Sequence, residues 1–217
     1  MEIGISLYPG LSGGPADVEK FLDLAKTLGY TRLFCSFHIP ETHPEQFRQQ
    51  MQTLLQQAAA RHFSIIGDLV PGAAIPAALT HLRLDDGFTP DKVAALQKRY
   101  PEKILVLNAS CITEAALIAY EIAGVDLSRV EALHNFYPHP HTGLSEAFLC
   151  RQNERFHAKG IRVGAFIPSQ TGRRGPLFKG LPTLEKDRDK KAALAMKHLA
   201  LLGTDVVYFG DGAPSEE

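Results

Sequence analysis

The sequence predicts an α/β chain wound as a (β/α)8 barrel, the TIM-barrel architecture, and three observations carry that reading. Short apolar, β-rich runs alternate with helical patterns from end to end of the 217 residues. Most of those runs are nearly continuous in apolar residues, as parallel strands covered on both faces require. Eight of them can be counted, and 217 residues lie at the small end of the usual range for eight β/α units.

The strand candidates are 2–8 (EIGISLY), 32–37 (RLFCSF), 63–69 (FSIIGDL), 81–85 (HLRLD), 104–110 (ILVLNAS), 130–135 (VEALHN), 162–167 (RVGAFI) and 205–210 (DVVYFG). The first helix, PADVEKFLDLAKTLG, carries Pro15 near its first turn and Gly29 as a stop. The second opens with Thr42 three residues before Glu45, a capping-box spacing. The third crossover is short and contains Pro76, which leaves room for only a turn or two of helix. Thr89 is the expected N-cap of the next helix, with Pro90 at its first position. TEAALIAYEIAG, LSEAFLCRQNERFHAKG and KKAALAMKHLALLG supply the remaining helices, and the eighth is expected to be missing, since only GDGAPSEE follows the last strand. An open doubly wound sheet is the alternative, but no GxGxxG follows the first strand.

Hydrophobic residues make up 45% and charged residues 22%, enough to build one core over residues 1–217, and the net charge of −1 offers nucleic acid no basic stripe. Cys35, Cys111 and Cys150 are odd in number with no CxxC, which points to reduced thiols in a cytoplasmic protein. No apolar run approaches a membrane span, and no signal peptide is read at Met1.

In such barrels chemistry gathers where the strands end. Those ends carry Tyr8, Asp68, Arg83, Asp85, Asp86, Asn108, His134, Asn135, Gln170 and Asp211, while the strand interiors are apolar. Adjacent strand residues point to opposite faces, so Asp85 and Asp86 are expected to divide between the mouth and the following turn. The longest loop, PSQTGRRGPLFKGLPTLEKDR, combines glycines with Arg173, Arg174 and Lys179, a composition suited to phosphate. Glu185 in that loop is readable as a helix first-turn acid or as a catalytic acid. HNFYPHPHTGLS (134–145) invites a metal reading, but no HxH at the end of strand 1 accompanies it. His134 and Asn135 read better as direct substrate contacts, with no cofactor and no metal required.

Several of these segments together resemble one family. GISLYP, LRLDDGF, LNAS, HNFYPHPHTGLS, AFIPSQ with RGPLFKGLPTLEKDR, and GDGAPSEE resemble the MupG-type 6-phospho-N-acetylmuramidases, in order and from the first strand to the last residue. The resemblance implies a TIM barrel followed by a cyclophilin-like domain, from which this chain departs at its end. It also implies cytoplasmic hydrolysis of the 6-phospho-N-acetylmuramic acid–N-acetylglucosamine disaccharide during cell-wall recycling. Glycoside hydrolysis asks for two carboxyls across the scissile bond. From position, Asp85 is expected as nucleophile or charge stabiliser, Glu185 as general acid and Asp68 in support; a substrate 2-acetamido group is the alternative nucleophile. Arg173 and Arg174 would take the 6-phosphate, and Asn108, His134 and Asn135 the sugar hydroxyls or the lactyl carboxylate. Two other classes stay open: a sugar-phosphate aldolase or epimerase, and a barrel that holds a phosphosugar without turnover. A homodimer is the only macromolecular partner expected.

Overall fold

A computed structural model describes residues 1–9, 17–37, 44–69, 71–84 and 87–211. Eight strands, β1 (Glu2–Leu7), β2 (Arg32–Cys35), β3 (Ser64–Leu69), β4 (His81–Leu84), β5 (Ile104–Asn108), β6 (Val130–Leu133), β7 (Arg162–Ile167) and β8 (Val206–Phe209), close into a barrel in sequence order. All pairs are parallel, and β8 returns to β1 with Glu2 opposite Val206 and Gly4 opposite Tyr208. This is the expected TIM barrel.

Among the described residues six α-helices pack outside it: α1 (Val18–Thr27), α2 (Pro44–Ala60), α3 (Pro90–Arg99), α4 (Glu114–Ile122), α5 (Glu146–His157) and α6 (Ala192–Leu201). Their starts follow local chemistry. Asp17, Thr113 and Ser145 accept backbone N–H bonds from Lys20, Ala116 and Phe148, satisfying helix-end donors. Thr89 is the α3 N-cap with Pro90 beside it, although its hydroxyl makes no capping bond. The described part of the third crossover, 71–80, contains turns and no helix, so the short helix expected near Pro76 does not form. The Thr42 capping box and Pro15 lie outside the described residues.

Strand periodicity explains the barrel's interior. Residues two apart share a face, so Arg32/Phe34, Ile66/Asp68, His81/Arg83 and Val106/Asn108 each place one side chain above another. The middle layer is apolar, built from Phe34, Ile66, Val106, Leu133, Phe166, Val206 and Tyr208. Polar side chains lie above and below it. A separate apolar shell, including Leu22, Leu54, Ile65, Val93, Leu117 and Phe156, joins strands to helices.

Candidate functional site

At the C-terminal end of the barrel, Asp68 and Arg83 are register partners on β3 and β4. Arg83 donates from Nη1 to Asp68 Oδ1 at 2.7 Å and from Nη2 to Asn135 Oδ1 at 2.5 Å. It thereby ties three strand ends into one row, and its Nε is buried with no partner. The row is supported from the β5–β6 side. Asn135 N–H donates to Ser110 Oγ at 2.9 Å, and Asn108 Oδ1 accepts from Ser110 N–H at 3.1 Å.

His134, next to Asn135 in the chain and turned toward α5, has no exposed surface. Its Nδ1 lies 3.3 Å from Ser110 Oγ and its Nε2 3.1 Å from Asn153 Oδ1. An amide oxygen only accepts, so Nε2 carries the proton and Nδ1 is left to accept from Ser110. Burial pushes the imidazole down to about 4, and the nearby Arg83 charge acts in the same direction against the Asn153 bond. A neutral ring with both nitrogens engaged by protein positions Asn135 and Ser110; it has no free atom for the direct sugar contact expected of it.

Tyr8 is buried, and its hydroxyl donates to Gly210 O at 2.7 Å. Its ring meets Phe34 and Phe136 edge-on at 6.4 and 6.5 Å, and Phe136 meets Phe166 at 5.2 Å. The Arg174 guanidinium rests 4.3 Å over the Tyr8 ring, a cation–π contact. Burial raises the Tyr8 phenol, against the lowering by the Arg174 guanidinium over its ring.

Asp211 organises the long loop between β7 and α6. It is fully buried, its Oδ2 accepts from Ser169 N–H at 2.8 Å and Leu181 N–H at 3.3 Å, and its Oδ1 accepts from Arg174 N–H at 2.9 Å. Burial pushes its carboxyl above the ordinary range, against the lowering by those three N–H groups. Asp211 therefore serves this site by shaping the arginine loop.

Glu185 corrects an expectation. It lies in a 3-10 turn, Glu185–Asp187, and its carboxylate accepts four hydrogen bonds. Two come from Arg188 (2.7 and 2.6 Å) and two from the backbone N–H groups of His141 and Gly143 (2.8 Å each). The Arg188 bonds, aided by these two N–H groups, hold it down at about 2 despite partial burial. A general acid must be protonated near its working pH, and this carboxylate is not. It latches the HNFYPHPHTGLS loop instead: Arg188 also donates to the carbonyls of Tyr137, His139 and Gly180. A Cβ on Gly143 would come within 2.7 Å of Glu185 N, so only glycine fits there. Gln170 is exposed, and its amide donates to Lys190 O at 2.5 Å. Asp85 and Asp86 lie outside the described residues. His139 and His141 enter the latch through backbone atoms, and among the described residues no cluster of metal-ligating side chains forms.

Sequence reasoning passed over Phe136, Thr183 and Arg188. Thr183 Oγ1 donates to Asn135 O and accepts from Phe166 N–H, both at 2.9 Å, joining the loop to the row. The i,i+3 spacing of Glu185 and Arg188 was the available signal for the latch.

Residues 3–217 match the family described as 6-phospho-N-acetylmuramidase, N-terminal. The chain belongs to that family. Among curated protein sequences none matches. A crystal structure of a conserved Enterococcus faecalis protein of unknown function is similar at 32% identity and a TM-score of 0.84, over 100% of this chain and 63% of that one. An uncharacterised B. cereus protein is similar at 26% identity and 0.82, over 99% and 62%. This family member thus spans less than two thirds of either structure. A hyperthermophilic endo-β-1,4-glucanase shares the fold alone, at 12% identity and a TM-score of 0.53, over 95% of this chain and 87% of that one.

Proposed function

We propose that the chain forms the catalytic barrel of a glycoside hydrolase that cleaves 6-phospho-N-acetylmuramic acid–N-acetylglucosamine in the cytoplasm, during cell-wall recycling. The observation that carries this reading is the pairing, at one barrel end, of the Asp68–Arg83–Asn135 row with an arginine loop over Tyr8. The row supplies a carboxylate and polar groups for a sugar, and the loop supplies cations for its phosphate. Family membership supports the same substrate class. The three cysteines, none of them in a disulfide, fit a reducing compartment.

With Glu185 committed to the latch, the two carboxyls required across the glycosidic bond fall to the strand ends of β3 and β4. Asp85 acts as nucleophile, or orients the substrate 2-acetamido group in its place. Asp68 holds the reacting sugar with Arg83 and Asn135 from the β3 side, and Asp86 is a substrate contact. Asn108 stands beside Ser110 to read a hydroxyl or the lactyl carboxylate. The Arg173/Arg174 loop takes the 6-phosphate.

Incubation of the chain with the phosphorylated disaccharide, followed by assay of free N-acetylglucosamine, tests the reading. Release that disappears in Asp85→Asn is expected. Full turnover in that variant refutes the catalytic assignment, and binding without release by the unaltered chain supports instead a phosphosugar-holding barrel.

A further inference from the structure

Two adjacent arginines in the loop after β7 have different surroundings. Arg173 is committed to the loop: its Nε donates to Ser169 O at 3.1 Å, its Nη2 to Arg188 O at 3.4 Å, and it pairs with Asp189 at 3.6 Å. Among the described residues Arg174 makes no side-chain hydrogen bond and no ion pair. Its Nε is buried without a partner while its face rests on Tyr8. A buried donor left unpaired is destabilising, so the fold maintains a cation in want of an acceptor. Both halves of that arrangement are fixed from the β8 side. Gly210 O accepts the Tyr8 hydroxyl bond, and Asp211 holds the Arg174 backbone.

We infer that Arg174 alone is the phosphate-gripping side chain of the mouth, offering its N–H edge to a phosphomonoester dianion while Tyr8 supports its face, and that Arg173 only shapes the loop. The inference rests on the phosphosugar reading above and sharpens it. The phosphate end of the sugar lies toward β1, β7 and β8, which turns the anomeric carbon toward Asp68 and Arg83. Lysine is no substitute, because an ammonium neither stacks as a plane nor presents two parallel donors.

Calorimetric titration with N-acetylglucosamine 6-phosphate, and with N-acetylglucosamine as its uncharged control, tests this in the unaltered chain, Arg174→Ala, Arg174→Lys and Arg173→Ala. Both Arg174 variants are expected to lose about tenfold or more of the phosphate-dependent affinity, the scale of a charge-assisted bond. Arg173→Ala is expected to lower Tm and to lose less affinity. Should Arg174→Ala fail to fold, Arg174→Gln carries the same comparison. Equal losses at the two arginines, or unaltered phosphate-dependent affinity in Arg174→Lys, overturn the assignment. So does equal affinity of the unaltered chain for the two sugars. The two readings fail separately. Binding through Arg174 without release of N-acetylglucosamine from the disaccharide refutes the hydrolase and leaves this assignment standing. Hydrolysis that survives Arg174→Ala undiminished does the reverse.

Discussion

Each end of the barrel buries an arginine against a carboxylate, but the two ends differ in whether every guanidinium nitrogen is used. At the N-terminal end Arg32 donates from Nε to Glu2 (2.6 Å) and from Nη1 and Nη2 to Glu131 (2.6 and 2.9 Å), with His81 3.2 Å from Nη1. Arg162 adds a second cation to both carboxylates. At the C-terminal end Arg83 and Arg174 each keep a buried Nε without a partner. The difference separates a plug from a receptor. Where every guanidinium nitrogen is bonded the network closes the barrel floor; where a nitrogen is left over, a ligand has something to bind. His81 and Arg83, two residues apart on one strand face, belong one to each end.

Truncating the plug has the largest expected effect. Arg32→Ala leaves Glu2 and Glu131 with only the partly exposed Arg162 as cation beside an emptied buried site, an expected cost of about 3 kcal/mol, the low end for breaking a buried pair. Urea unfolding measures it, and a loss below about 1 kcal/mol would show that water replaces the guanidinium without difficulty. At the other end, Arg83→Met is expected to lower kcat/KM by about a hundredfold, or roughly 2.7 kcal/mol of transition-state binding, with a smaller loss of stability. If its stability loss matched that of Arg32→Ala while turnover survived, the two ends would be alike and the contrast would fail.

Acid tests both ends together through their histidines. Burial lowers His81 to about 4, outweighing the pull of Glu131 toward the charged form, and lowers His134 likewise to about 4. The unfolded chain then binds more protons than the folded one between pH 6.5 and about 4, so stability falls as pH falls through that window. Each ring contributes about 2–3 kcal/mol of loss by pH 4.5. His134→Asn should remove its share of the slope. An unchanged slope would mean that the ring is accessible to protons in the folded chain.

The fold was legible because strand parity and apolar continuity are local. Ile66/Asp68 and Val106/Asn108 announce an apolar layer capped by polar ends without any knowledge of their neighbours. The site was legible only in part, for a reason of distance. That Asp68 pairs with Arg83 follows once strands 3 and 4 are adjacent and in register. The partners of Glu185 do not follow, since two of them are backbone N–H groups 42 and 44 residues away. A carboxylate in a glycine-rich loop reads as available chemistry until the loop that occupies it is seen. His134 misled in the same way, because its Asn153 partner lies on a helix face where the sequence gives no sign that polar side chains turn inward.

Glu185→Gln decides between latch and acid with the smallest expected effect of the set. The glutamine keeps the side chain's length but loses the charge that Arg188 meets at 2.6 Å, and the exchange is expected to destabilise by about 1–2 kcal/mol. The depressed pKa makes that contribution pH-dependent with a defined sign: it is fully present above about pH 4.5 and is lost as pH falls through about 2. Hydrogen exchange at the His141 and Gly143 amides should quicken, since both donate to this carboxylate. A latch residue acts on turnover only through loop order, so kcat should fall by less than about tenfold. A general acid contributes about 10²–10⁴-fold, and a loss of that size with unchanged amide protection would return Glu185 to the chemistry and leave the HNFYPHPHTGLS loop without its clasp.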